Sequence, residues 1–100
     1  MSPDFKYEVE TQVAAFAASA ESNKATVVVD IIKMVLDIAK THFDLDADKM
    51  ADFVGELYDK YIKPLDLPGV ADPFEAMVDS VLKQTLILGV KKALQGLGAQ

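Results

Sequence analysis

Four aspartates in one short segment are spaced like the side-chain ligands of an EF-hand calcium loop. They are Asp44, Asp46, Asp48 and Asp52, at positions 1, 3, 5 and 9 of DLDADKMAD. The rest of the loop departs from that pattern. Position 6, a glycine in EF-hands, is Lys49, and position 12, normally a bidentate glutamate, is Gly55.

The same residues are also typical of a helix N-terminus. Asp46 can act as the N-cap, and Asp48 then lies in the first turn, where negative charge is favourable. Leu45 and Met50 have the spacing of a hydrophobic staple. We therefore predict a helix cap and no metal site, and keep as the alternative a divalent-ion (calcium) helix–loop–helix at Asp44–Glu56.

Other residue types that could support catalysis are isolated. His42 is the only histidine, and it falls near the end of a predicted helix, where a cation is favoured. The chain has no cysteine, and none of its serines lies in a nucleophile motif such as G-x-S-x-G. The sequence predicts neither an enzyme nor a cofactor.

Composition limits the possible partners. The net charge is −6 and every basic residue is a lysine, so the bidentate arginine contacts of nucleic-acid binding are missing. No apolar run is long enough to span a membrane, and the acidic first residues are not a signal peptide. With no cysteine, the chain fits a reducing compartment, and we expect a cytoplasmic protein.

Residues 1–100 are predicted to form a single helical domain with four helices. The first covers about 3–20, with Ser2 as the cap and Pro3 at the first helical position. Ser22 or Asn23 can cap the second, at about 25–42, which is apolar on about three sides. Four charged residues form its narrow polar stripe: Asp30, Lys33, Asp37 and Lys40.

The third helix is predicted to be amphipathic and to end at Pro64, with Tyr58 and Tyr61 as aromatic residues at the edge of the core. Pro68-Gly69 fits a type II turn, and Leu65, Leu67 and Val70 are expected to fold over the core.

Asp72-Pro73 is the start signal of the fourth helix, which Gly89 is expected to kink or loosen. Its first half has one apolar face, consisting of Phe74, Met77, Val78, Val81 and Leu82. Four helices with short connections predict an all-α fold, either a four-helix antiparallel bundle or a compact orthogonal helical array.

Two of these helices have more apolar residues than one core needs. The second helix is nearly all apolar, and the second half of the fourth loses its polar face. A surplus of this kind usually marks an interface, and a homodimer is the simplest way to cover it. We predict a small acidic accessory or regulatory protein that binds protein or itself. The expected contacts are the second helix together with Ile87, Leu88, Val90 and Leu94.

Overall fold

A computed structural model describes residues 3–21, 23–42, 46–65 and 72–98. The helices in these ranges confirm the all-α prediction. They are α1 (Pro3–Ser19), α2 (Lys24–Ala39), α3 (Ala47–Leu57) and α4 (Glu75–Gly96).

Two of the predicted N-caps are present. The side chain of Asn23 accepts a hydrogen bond of 2.9 Å from the backbone N–H of Thr26 at the start of α2. Asp46 does the same for Lys49 at the start of α3, at 3.0 Å. Both caps satisfy a donor that the first helical turn would otherwise leave unpaired. The predicted staple with Leu45 and the Pro68-Gly69 turn lie outside the described residues.

The third helix changes its winding at its C-terminal end. After α3 the chain continues as a π-helical turn, Tyr58–Ile62, in which the N–H of Lys63 donates to the carbonyl of Tyr58 at 2.9 Å. A π turn inserts an extra residue and shifts the side chains that follow around the axis. Leu65 then packs against the core, as expected.

α4 differs from its prediction at its start. Its start is a 3₁₀ turn, Asp72–Phe74, so the α-helix proper begins only at Glu75, and Phe74 makes no side-chain cap. The helix is then continuous through Gly89 to Gly96. A β-carbon at Gly89 would lie 2.5 Å from Ile32 Cδ1, so this glycine allows close packing of α4 against α2.

Contacts at both ends show that α3 and α4 run in opposite directions. Near the start of α3, Asp48 pairs with Lys91 at 2.8 Å, and just after α3 Asp59 pairs with Lys83 at 2.6 Å. Midway, Gly55 lies beneath Ile87.

The other helix pairs complete the bundle. The ring of Phe5 lies edge-on against His42, with centroids 4.7 Å apart, so the start of α1 meets the end of α2. α2 packs beside α4, and α1 beside α3 and the π turn. α1 and α2 are therefore antiparallel, as are α3 and α4, in a bundle measuring 41 × 21 × 17 Å.

One hydrophobic core runs through these helices. The residues of α2 that were expected at an interface are mostly inside it, including Val27, Val28, Ile31 and Val35. The total accessible surface, 5891 Å², is close to the roughly 5600 Å² expected for a folded monomer of this mass. Among the described residues, no helix is both long and apolar enough to cross a bilayer.

Candidate functional site

The side of α4 that faces away from the core has a row of large apolar side chains. We call this row the outer face of α4. Its members are Phe74, Met77, Val81 and Leu88, and their side chains are 55, 61, 58 and 54% exposed. They follow one another at intervals of three, four and seven residues, the heptad spacing of a helix–helix contact. At 100° per residue, the last three lie within an arc of about 40°.

Tight packing fixes which side of α4 faces the core. Leu86, Val90 and Leu94 are fully buried in the core. A β-carbon at Gly55 of α3 would lie 2.8 Å from Ile87 Cδ1, so α3 and α4 are in close contact there. With a similar close contact to α2 at Gly89, the rotation of α4 about its axis is fixed.

The predicted contact residues of α4 are therefore divided between its two sides. Leu88 is exposed and belongs to the outer face. Val90 and Leu94 are core residues, and Ile87 is half-buried against α3. The prediction placed these four residues at one interface, but they point in different directions around the helix. The exposed apolar surface lies mainly on the first half of α4, for which the sequence predicted a single apolar face.

A buried polar cluster joins α2, the π turn and α4. The ammonium group of Lys24 donates to Asp79 Oδ1 at 2.9 Å and to the carbonyl oxygen of Lys63 at 3.0 Å. The hydroxyl group of Tyr58 donates to the same Asp79 oxygen at 2.6 Å. A carboxylate oxygen of Glu75 lies 3.9 Å from the Lys24 nitrogen. Each charged group in the cluster thus has a partner of opposite charge.

The cluster is better suited to holding helices together than to catalysis. Lys24 and Asp79 are 7 and 6% exposed, and Tyr58 is fully buried, so a substrate has no direct approach. Burial, together with the hydrogen bond to Asp79, raises the pKa of Tyr58 well above its ordinary value. A tyrosine that holds its proton this firmly serves as a hydrogen-bond donor and is a poor general base.

This cluster was not predicted from the sequence, although a signal was present. Lys24 precedes Val27, Val28 and Ile31 at the spacing of one helix face, and all of these residues are buried. Asp79 likewise lies seven residues before the buried Leu86. A charged residue that lies on the apolar face of a helix is rarely buried unless it is paired. Each of these two charges therefore indicated a buried partner of opposite charge.

A surface network ties α1 to the π turn. Lys60 and Tyr61 both donate to Glu10 Oε2, at 2.9 and 2.7 Å. The hydrogen bond from Lys60, reinforced by that from Tyr61, lowers the pKa of Glu10, and Glu10 in turn raises the pKa of Lys60. These groups are paired with one another and are not arranged around a reacting atom.

From Ala47 onward the acidic segment is helical. Asp46 caps α3, Asp48 pairs with Lys91, and α3 occupies positions that an EF-hand would keep in its loop. The hydrogen bond that Lys91 donates to Asp48, together with the coulombic attraction between them, raises the pKa of Lys91. Over the described ranges, no three His, Cys, Asp or Glu side chains are grouped to hold a metal ion.

Comparison with known proteins gives no relative. No protein-family model matches the chain, and neither a curated protein nor a solved structure matches it significantly. The inferences about function therefore depend on the chain's own residues.

Proposed function

We propose that this chain is a small, non-enzymatic, cytoplasmic accessory or regulatory protein that binds protein through the outer face of α4 and associates with itself. The observation that carries the proposal is the row formed by Phe74, Met77, Val81 and Leu88, each more than half exposed. Contiguous apolar surface of this kind typically marks an interaction site. Scattered surface leucines would not share one helical arc.

The chemistry around the row supports burial against another apolar surface. Ser80, Gln84 and Thr85 are the uncharged neighbours of Val81, and the Thr85 hydroxyl already donates to the Val81 carbonyl at 2.8 Å. The nearest lysine in sequence, Lys83, pairs with Asp59 on the α3 side. Covering the outer face between Phe74 and Leu88 therefore buries no unpaired charge, which would otherwise oppose binding.

The size of the row predicts weak, reversible binding. Full burial of one large apolar side chain contributes about 1.5–3 kcal/mol, so each half-exposed member contributes roughly half of that. Four such residues on each of two copies give on the order of 6–12 kcal/mol, comparable with the roughly 4–15 kcal/mol that association costs. We expect a dissociation constant in the micromolar range or above.

Sedimentation equilibrium over a concentration series tests the proposal. The expected result is a mass that rises above 10.9 kDa with concentration in the wild type. Leu88→Lys should abolish the rise and leave the helical circular dichroism unchanged. Gln12→Lys makes the same charge change at an exposed position on α1 and should associate like the wild type.

A third variant distinguishes an exposed position of α4 from a position in the core. Val90→Lys places a charge at a fully buried position and should unfold the protein. A wild-type mass of 10.9 kDa at every concentration up to about 0.5 mM, well above micromolar dissociation constants, would refute self-association.

A further inference from the structure

We infer that the partner of the outer face is α4 of a second copy, lying antiparallel, with Val81 next to the two-fold axis. This inference rests on the proposed function and adds the partner's orientation and register. It is drawn from the placement of apolar and charged residues along α4.

Phe74, Val81 and Leu88 of the apolar row are placed symmetrically about Val81, and Met77 would face Thr85 of the other copy. Phe74 lies seven residues before Val81 and Leu88 seven residues after it, and Leu88 is about 10.5 Å along the helix from Val81. A two-fold axis through Val81 and perpendicular to the helix brings Phe74 of one copy beside Leu88 of the other. Such an isologous contact is the commonest arrangement of a homodimer.

The charges of α4 distinguish antiparallel from parallel pairing. At the beginning of α4, Glu75 is partly exposed, while Asp79 is buried in its pair with Lys24. The lysines of α4, Lys83, Lys91 and Lys92, come later. A parallel pair would bring the two lysine-rich ends together. An antiparallel pair places each basic end beside the acidic end of the other copy and also opposes the two helix dipoles.

Lys92 is the lysine that lies closest to the proposed contact between the two copies of α4. It is exposed and on the same side of α4 as the row, one turn beyond Leu88. Within the part of the chain that the structure describes, Lys92 makes no ion pair, whereas Lys91 is paired with Asp48. An antiparallel pair therefore separates the Lys92 side chains of the two copies, whereas a parallel pair would place these two like charges side by side.

Disulfide trapping tests the orientation, because a cysteine-free chain accepts single cysteines without background reaction. Three variants are prepared: Phe74→Cys, Leu88→Cys and Val81→Cys. Disulfides form only when the Cα atoms approach to about 4.4–6.8 Å. Antiparallel pairing predicts that an equimolar mixture of the first two is oxidised mainly to the mixed 74–88 dimer, and that Val81→Cys dimerises alone.

The possible outcomes separate the two proposals. If Phe74→Cys and Leu88→Cys each dimerise with themselves in preference to each other, the pair is parallel and this inference fails, while the proposed function stands. If the unmodified chain stays at 10.9 kDa in sedimentation, this inference fails together with the self-association in the proposed function. Gln12→Cys, exposed on α1, measures collisional cross-linking, and trapping no greater than in that variant overturns the inference.

Discussion

Tyr58 donates its hydroxyl hydrogen to Asp79 across 2.6 Å, joining the π turn to α4 in the interior of the bundle. The oxygen that accepts it is also the partner of Lys24 on α2, so three segments meet at one carboxylate. Removing one partner of such a cluster leaves another buried without compensation. The cluster therefore gives sharper predictions about stability than the surface ion pairs do.

Asp79→Ala should be strongly destabilising. It leaves the ammonium group of Lys24 buried without its closest anion, and breaking a buried pair in this way costs about 3–5 kcal/mol. The free energy of unfolding, measured in urea, is the readout. Asp37→Ala is the matched control, because Asp37 pairs with Lys40 at the surface, 3.4 Å away, and should change stability by no more than about 0.5 kcal/mol. Equal effects of the two variants would contradict the buried pair.

Replacing both charges together should restore much of the loss. Lys24→Met with Asp79→Leu removes the pair and fills the space with apolar atoms, an exchange that is often neutral or stabilising. We expect the double variant to unfold at a higher urea concentration than Asp79→Ala alone. Both variants remove the acceptor of the Tyr58 hydroxyl, so a double variant less stable than Asp79→Ala would contradict the cost assigned to the uncompensated Lys24 charge.

Tyr58 should make stability fall at alkaline pH. Its folded pKa is raised by burial and by Asp79, so the native state keeps a proton that the unfolded state releases above pH about 10. The contribution of Tyr58 is thus complete below that pH and declines above it by about 1.4 kcal/mol per pH unit. The wild type should lose stability above pH about 10 more steeply than Tyr58→Phe. Tyr7→Phe, at a 76% exposed tyrosine, should follow the wild type, and identical slopes in all three proteins would refute the prediction.

Gly55→Ala should destabilise the contact between α3 and α4. Alanine favours helix by about 1 kcal/mol, but overpacking a tight contact costs about 1–3 kcal/mol. Two Ile87 atoms would lie 2.8 and 2.9 Å from the new β-carbon, so we expect the second effect to prevail. Thermal unfolding measures the result. Gly96→Ala, whose β-carbon would meet nothing within 4 Å, is the control and should not destabilise.

The cost at Gly55 should depend on Ile87. In an Ile87→Ala background both close atoms are gone, so Gly55→Ala should become neutral or stabilising there. A double-mutant cycle gives the coupling energy directly. Additive effects of the two substitutions would mean that the helices do not meet at this point.

Asp46→Ala should remove the cap of α3 at a cost of about 0.5–2 kcal/mol. The carboxylate accepts a hydrogen bond of 3.0 Å from the Lys49 N–H and so caps the helix. We therefore expect the same loss of stability with and without calcium. Urea unfolding in calcium and in chelator tests this, together with calorimetric calcium titration of the wild type. A stoichiometric site of micromolar affinity, or a loss confined to calcium, would restore the metal-site alternative for Asp44–Glu56.

The sequence alone predicted what local interactions decide. The periodic apolar residues of α1 and the caps at Asn23 and Asp46 were predictable because each signal lies within one turn of the chain. The helical class followed from the same patterns. The π turn at Tyr58–Ile62 and the 3₁₀ entry to α4 were not predicted, because both are small changes of winding that helix propensity does not distinguish.

Only the tertiary structure decided which side of α4 faces inward. The residues of its second half are apolar around most of the axis, so periodicity gave no preferred rotation there, and Val90 and Leu94 were expected at an interface. The rotation is set by contacts distant in sequence: close approach at Gly55 and Gly89, and the ion pair between Lys24 and Asp79. Because packing permits one rotation, Val90 and Leu94 are buried and Phe74, Met77, Val81 and Leu88 are left outside.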